Sequence, residues 1–181
     1  MYHTDDIEGR SRLVYEQHYL EVYQFMIYFT GNRNNAEDLT QEVFIRVLDA
    51  LPRYEERSSM KTWILSIAKH VAIDYGRKRR IRAWLSMEPI MGLPSKLGRP
   101  ESELEAKEEK ELMISAMLRL KPKYRSVVIL RGLKEFSIKE TAEILECSEA
   151  KVRVDFHRAV KQLRTYLKGY WEGGWEHELS R

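Results

Sequence analysis

Glu37, Asp38 and Glu42 lie within one short stretch, "AEDLTQEVFIRVL", and on a helix Asp38 and Glu42 stand at i and i+4 on a single face. Like charges so placed repel by roughly 0.2–0.5 kcal/mol, so the arrangement asks for a partner. Carboxylates on one helix can hold a divalent ion, the chemistry of a metal-dependent nuclease. The rest of the chain lacks what that chemistry needs. There is no second acidic cluster placed by motif, no glycine-rich phosphate loop and no nucleophile set beside a base. The five histidines (His3, His18, His70, His157 and His177) are scattered without ligand spacing. Cys147 is the only cysteine, which excludes an intrachain disulfide and suits a reducing cytoplasm. It reads most simply as a small buried apolar residue, with a reactive thiol as the alternative. No catalytic residue, cofactor or metal site is expected.

The chemistry in abundance is polyanion binding. Net charge is only +3, but the charges are segregated. Arg57, Lys61, Lys69, Arg77, Lys78, Arg79, Arg80 and Arg82 stand in one stretch with Asp74 as the sole acid. From Arg119 to Lys134 the basic residues have no acid among them, whereas Glu101 to Glu111 is dominated by glutamate. Two basic blocks on either side of an acidic connector suit a nucleic-acid partner; a solvated helix surface is the plainer reading.

One segment carries a more specific pattern. In "FSIKETAEILECSEAKVRVDFHRAVKQL", Ser137 and Glu140 have the spacing of a capping box. Ile138, Ala142 and Leu145 make an apolar stripe, Glu146-Cys147 a turn, and Ser148 the cap of a second helix. At about 100° per residue, Val152, Phe156, Ala159, Val160 and Leu163 fall on the core side of that helix. Lys151, Val154, Asp155, His157, Arg158 and Lys161 fall opposite, with Arg153 at the flank. This is helix-turn-helix grammar, and the N-terminal half of the second helix would meet base edges. Lys151 and Arg158 match guanine, Asp155 can accept from cytosine, and Val154 suits a thymine methyl. Lys161 and Arg164 are placed for phosphates.

The elements that must position these residues are helical throughout, since no strand-like alternation persists. A first helix is predicted over about residues 11–29, ended at Thr30-Gly31. A second is capped by Asn35 and runs to about Ala50 before Pro52. "RYEERSSMKT" is a polar loop, and Ser59 or Thr62 opens a third helix. The stretch of about residues 81–99, with its prolines and glycines, reads as a linker; its Trp84, Leu85, Met87 and Ile90 either dock on a partner or pack back on the first domain. With 43% hydrophobic residues the chain can build a core. It has no run of about 18 apolar residues to span a membrane and no export-signal layout.

Taken together, these segments resemble the extracytoplasmic-function (ECF) sigma factors of bacterial RNA polymerase. "TGNRNNAEDLTQEVFIRVL" is similar to the family's core-binding segment, and "RSSMKTWILSIAKHVAIDYGRKRR" to its promoter-melting and −10-reading segment. The run "LKPKYRSVVILRGLKEFSIKETAEILECSEAKVRVDFHRAVKQLR" is similar to its −35-reading domain. The resemblance implies an all-α chain of two small helical domains. Residues 1–82 would be the sigma2-like domain, 83–105 a flexible linker, 106–168 the sigma4-like helix-turn-helix domain and 169–181 a C-terminal tail. It implies a cytoplasmic, non-enzymatic protein that directs initiation without entering the membrane. Its partners would be core RNA polymerase (the clamp helices of the largest subunit and the flap of the second-largest), promoter DNA and an anti-sigma factor, membrane-bound in many relatives.

Carried over position by position, the resemblance assigns Asp38, Gln41, Glu42, Ile45 and Asp49 to core polymerase. Arg57, Ser58, Ser59, Lys61, Lys69, His70, Arg77, Lys78 and Arg80 go to the −10 region. Ser148, Lys151, Arg153, Val154, Asp155, His157, Arg158 and Lys161 go to the −35 element. Trp63 would pack in the domain core or stack on a base, Asp74 would tie down a neighbouring cation, and Trp84 and Leu85 would lie in the RNA-exit path. Two positions depart from the family pattern. Asp155 stands where a basic or hydroxyl residue is common, so it should face a base edge or pair with Lys151 or a nearby arginine. His70 stands where many relatives have Asn. The competing reading is a free-standing helix-turn-helix regulator that binds its operator directly.

Overall fold

The computed structural model describes residues 4–86 and 111–168, and every regular element in that part of the chain is helical. In order these are α1 (Thr4–Thr30), α2 (Arg33–Ala50), a 3₁₀ turn (Leu51–Arg53) and α3 (Met60–Ser86). Then follow α4 (111–119), α5 (Pro122–Val128), a π-helical turn (Ile129–Leu133), α6 (Ile138–Leu145) and α7 (Glu149–Leu167).

The first three helices close on one another because each carries an apolar stripe at helical spacing. Val22, Phe25, Met26 and Phe29 of α1 are fully buried, against Ala36, Val43 and Val47 of α2 and Ile64, Leu65 and Ala68 of α3. Gly31, at φ +64, stops α1, and its N–H closes onto the Ile27 carbonyl at 2.9 Å. The cap of α2 comes one turn earlier than expected. Asn32, in extended conformation, accepts from the Asn35 N–H at 3.0 Å, so Asn35 is inside the helix rather than at its cap. Left-handed Gly31 is the reason: it turns the chain sharply enough for the next residue to begin a new helix. Pro52 ends α2 as anticipated. Ser59 opens α3, accepting from the Thr62 N–H at 3.1 Å, while Thr62 is buried. Helix α3 runs on to Ser86, so the first residues of the expected linker are helical; the rest of it and the C-terminal tail lie outside the described residues.

In the second half α6 and α7 pack together and α5 lies on α7. Both halves of the capping box form: Ser137 Oγ accepts from the Glu140 N–H, and Glu140 Oε2 from the Ser137 N–H. Ser148 caps α7 by accepting from the Lys151 N–H. Ala142 is buried, and Thr141 and Ile144, outside the expected stripe, are fully enclosed. Ser137→Ala is expected to cost about 1 kcal/mol, read as a lowered denaturant midpoint with an unchanged slope.

The two halves share one continuous apolar core. Helix α3 packs against α5 and α6, and α1 meets the π-helical turn. Two glycines of the first half mark where the second half lands. A Cβ on Gly31 would come within 2.8 Å of Ile114 and 2.9 Å of Leu118, and one on Gly76 within 2.9 Å of Pro122. Arg125 links the halves by hydrogen bonds: its guanidinium donates to the Met117, Leu118 and Leu120 carbonyls and, across the seam, to Phe29 O at 2.7 Å. Burial, with repulsion from Arg79 and Arg80, lowers its pKa to about 10, which leaves it charged at neutral pH.

Candidate interfaces for polymerase and promoter DNA

The outward face of α2 holds the acids that opened the question. Asp38, Gln41, Ile45 and Asp49 are exposed and Glu42 is half-buried. Ile45 is 62% exposed, and Leu48 is 38% exposed beside it at i+3. The face therefore has an apolar residue at its centre, a second at its edge and a charged rim, the layout of a protein interface. Glu42 is already paired, with Arg46 of the same helix, and Glu37 with Arg33 at 3.1 Å. The repulsion between Asp38 and Glu42 is thus offset within the helix. The exposed apolar centre, rather than the acid pair, is what lacks an internal explanation. Among the described residues no group of three or more His, Cys, Asp or Glu is placed to hold a metal ion.

The basic residues assigned to the −10 region divide into three sets. Arg77, Lys78 and Arg80 are exposed along α3, with Arg77 held by Asp74 at 2.6 Å, the tie expected of that aspartate. In the loop before α3, Arg57 pairs with Glu55, Ser58 O accepts from the Tyr54 hydroxyl, and Ser59 is the helix cap. Trp63 is half-buried against the core, its ring 4.8 Å from that of Tyr54. The third set is engaged with the other half of the molecule. Lys61 pairs with Glu21 at 3.0 Å and lies over the Phe136 ring; Glu21 also takes Lys134 at 2.8 Å. Burial pushes the Glu21 carboxyl up, but the two lysines outweigh it and hold it below its ordinary value. Lys69 is buried at 4% exposure, 3.3 Å from Glu146, and His70 Nε2 lies 3.0 Å from the same carboxylate.

On α7, Lys151, Arg153, Val154, His157, Arg158 and Lys161 all face solvent, as the helical wheel places them, and Ser148 is exposed at the cap. Asp155 does not. It is 8% exposed, hydrogen-bonded to Lys151 Nζ at 2.6 Å and 3.9 Å from Lys123 Nζ of α5. Because α5 packs on that flank of α7, the carboxylate is enclosed between two ammonium groups; it pairs rather than reads. Its hydrogen bond and charge raise the Lys151 pKa. Arg153 pairs with Glu149 at 3.1 Å. Cys147 is half-buried, and burial raises its thiol pKa, which disfavours the thiolate.

Two family models match the chain: Sigma-70 region 2 over residues 14–82 and Sigma-70, region 4 over residues 110–163. The ECF RNA polymerase sigma factor SigX of Bacillus subtilis is 37% identical over 167 residues, covering 90% of this chain and 86% of that protein. The chain belongs to the ECF sigma factors of RNA polymerase. The sigma factor YlaC of the same organism is 33% identical, covering 91% of this chain and 93% of its own length. The fold agrees with the sigma factor RpoE of Bartonella quintana, solved in complex with the anti-sigma factor NepR, at TM-score 0.64 and 22% identity over 92% of this chain and 99% of that one. CnrH, in complex with the cytosolic domain of CnrY, matches at TM-score 0.63 and 19% identity, with 88% of each chain covered. An ECF sigma factor serves promoter-specific initiation with RNA polymerase and is not a catalyst; the free-standing regulator is not favoured. Among the described residues no helix is long and apolar enough to cross a membrane.

The sequence reading missed Leu48 and Glu146. Leu48 lies at the border of the apolar stripe on a helical wheel, where angle alone does not decide exposure. Glu146 sits in the helix-helix turn, where a non-glycine residue was itself a signal.

Proposed function

We propose that the outward face of α2, centred on Ile45, edged by Leu48 and rimmed by Asp38, Gln41, Glu42 and Asp49, captures core polymerase at the clamp helices of its largest subunit. In this reading residues 1–82 form the core-binding and −10-reading domain, 83–105 the linker and 106–168 the −35-reading domain, which meets the flap of the second-largest subunit. The exposed isoleucine and leucine on an otherwise charged face support it best. A regulator working alone has no need of such a surface, and a solvated helix gains nothing from it. Arg57, Ser58, Ser59, Lys61, Lys69, His70, Arg77, Lys78 and Arg80 serve the −10 region, binding the melted strand by charge and by bases held in pockets. Lys151, Val154 and Arg158 read −35 base edges, and Lys161 a phosphate. Asp155 acts indirectly, by fixing the Lys151 ammonium. The protein works in the cytoplasm under an anti-sigma factor that is membrane-bound.

Run-off transcription with purified core polymerase on a library of promoter fragments tests this reading. New initiation sites and a stable complex with core are expected; their absence overturns it. Arg158→Ala should cost about 1–3 kcal/mol at one −35 position. An equal loss on every sequence would instead make Arg158 a phosphate contact.

A further inference from the structure

Asp155 is met by two cations, and they come from different helices. Lys151 Nζ, one turn back on α7, lies 2.6 Å from Oδ2, and Lys123 Nζ of α5 lies 3.9 Å from Oδ1. The other acid of α7, Glu149, is paired within the helix, by Arg153 at 3.1 Å, and its place in the first turn suits the helix dipole. Asp155 lies a turn further on, at the edge of the face that would meet DNA, where a carboxylate repels phosphates. Lys151 alone would cancel that charge, but the pair would then be neutral as a unit and spend the lysine's attraction for DNA. With Lys123 added, two ammonium groups face one carboxylate and one positive charge is left in excess. At its longer distance Lys123 acts by charge rather than by a hydrogen bond, and the enclosure of Asp155 limits screening by salt. Lys123 is itself held in place. Helix α5 packs on α7, Pro122 fixes the start of α5, and the Lys123 ammonium lies 4.7 Å from the ring centroid of buried Tyr124.

We propose that Lys123, which lies outside the recognition helix, is a positioning residue for −35 recognition: by holding Asp155 from its Oδ1 side, it leaves the Lys151 ammonium both aimed and charged for a base edge. Lys123 acts through Asp155 and not by touching a base. Guanine, with O6 and N7 side by side on its major-groove edge, is the base that suits the ammonium so presented. The inference rests on the assignment of Lys151 to a −35 base made under the proposed function.

The test uses holoenzyme assembled from the full-length protein and core polymerase, with initiation measured on promoters carrying each base in turn at every −35 position. Lys151→Ala marks the position that Lys151 reads. At that position Lys123→Gln should lower the preference for the best base about fivefold, with the other positions and Tm unmoved. Lys123→Arg keeps the charge and should keep the preference. Adding Asp155→Asn to Lys123→Gln should restore it: the excess positive charge returns, and the amide oxygen can still accept from Lys151. Lys121→Gln removes an equal charge two residues away and should leave the preference intact. An unchanged preference in Lys123→Gln overturns the proposal. So does an equal loss on every sequence that Asp155→Asn fails to restore, which would make Lys123 a phosphate contact. A matching loss in Lys121→Gln overturns it too, since overall charge would then account for the effect. Should Lys151→Ala blunt no position, the base assignment of Lys151 falls and the proposal with it. A sharp preference in Lys123→Gln at a position that Lys151→Ala does blunt strikes the proposal alone.

Discussion

Arg125→Ala should lower the unfolding free energy by about 3 kcal/mol, the largest loss expected of any single substitution outside the apolar core. The guanidinium is 7% exposed and donates to four carbonyls, three at the end of α4 and one at the end of α1. Helix ends leave carbonyls without partners, and here a single side chain supplies them on both sides of the seam. Alanine would leave these acceptors buried and unmet, and would uncover the face of Phe29 on which the guanidinium lies at 4.8 Å. Arg125→Lys should recover little, because an ammonium cannot reproduce the planar fork. In a chain of this size the alanine loss corresponds to a fall in Tm of about 6–12 °C, measurable by calorimetry. A fall smaller than about 2 °C would mean that water replaces the guanidinium without cost.

Ile45→Arg should weaken capture of core polymerase by about 10- to 100-fold, the effect of charging the centre of an interface, while leaving Tm unaltered. The side chain is 62% exposed, so among the described residues the fold has little stake in it. Fluorescence competition for core polymerase reads the affinity, and run-off transcription should fall in parallel and recover at higher protein concentration. Undiminished binding would reduce the α2 face to a solvated surface. Glu42→Gln gives a milder and different outcome from the one the acid pair alone suggests. Asp38 and Glu42 repel, so removing one charge should steady the helix. The ion pair of Glu42 with Arg46 already offsets that repulsion, so no gain in stability is expected.

Local grammar was legible because its physics is local. The capping box at Ser137 and Glu140, the Ser148 cap and the Pro52 stop each satisfy or interrupt backbone groups within a turn, so residue type and spacing suffice to locate them. The cap of α2 was misplaced by three residues because two asparagines compete there and only the left-handed Gly31 decides between them. The charged face of α7 was legible from its angular spacing, with one exception. Asp155 lies near the edge of that face, and whether an edge residue meets solvent depends on the neighbouring helix. Helix α5, bringing Lys123, closed over it. Leu48 is the converse: a border residue left uncovered.

The sequence by itself determined an all-helical chain, its two basic blocks, the helix-turn-helix and the family they resemble, since periodicity, capping and charge order are properties of neighbours along the chain. Only the tertiary structure decided that the two halves close on one another. That closure depends on contacts between residues far apart in sequence: Phe29 with Arg125, Glu21 with Lys134, Gly76 with Pro122 and Lys69 with Glu146. Each of these residues reads plausibly as surface charge, turn or helix filler when taken alone. Their pairing follows from how two apolar faces dock, and no spacing along the chain encodes it.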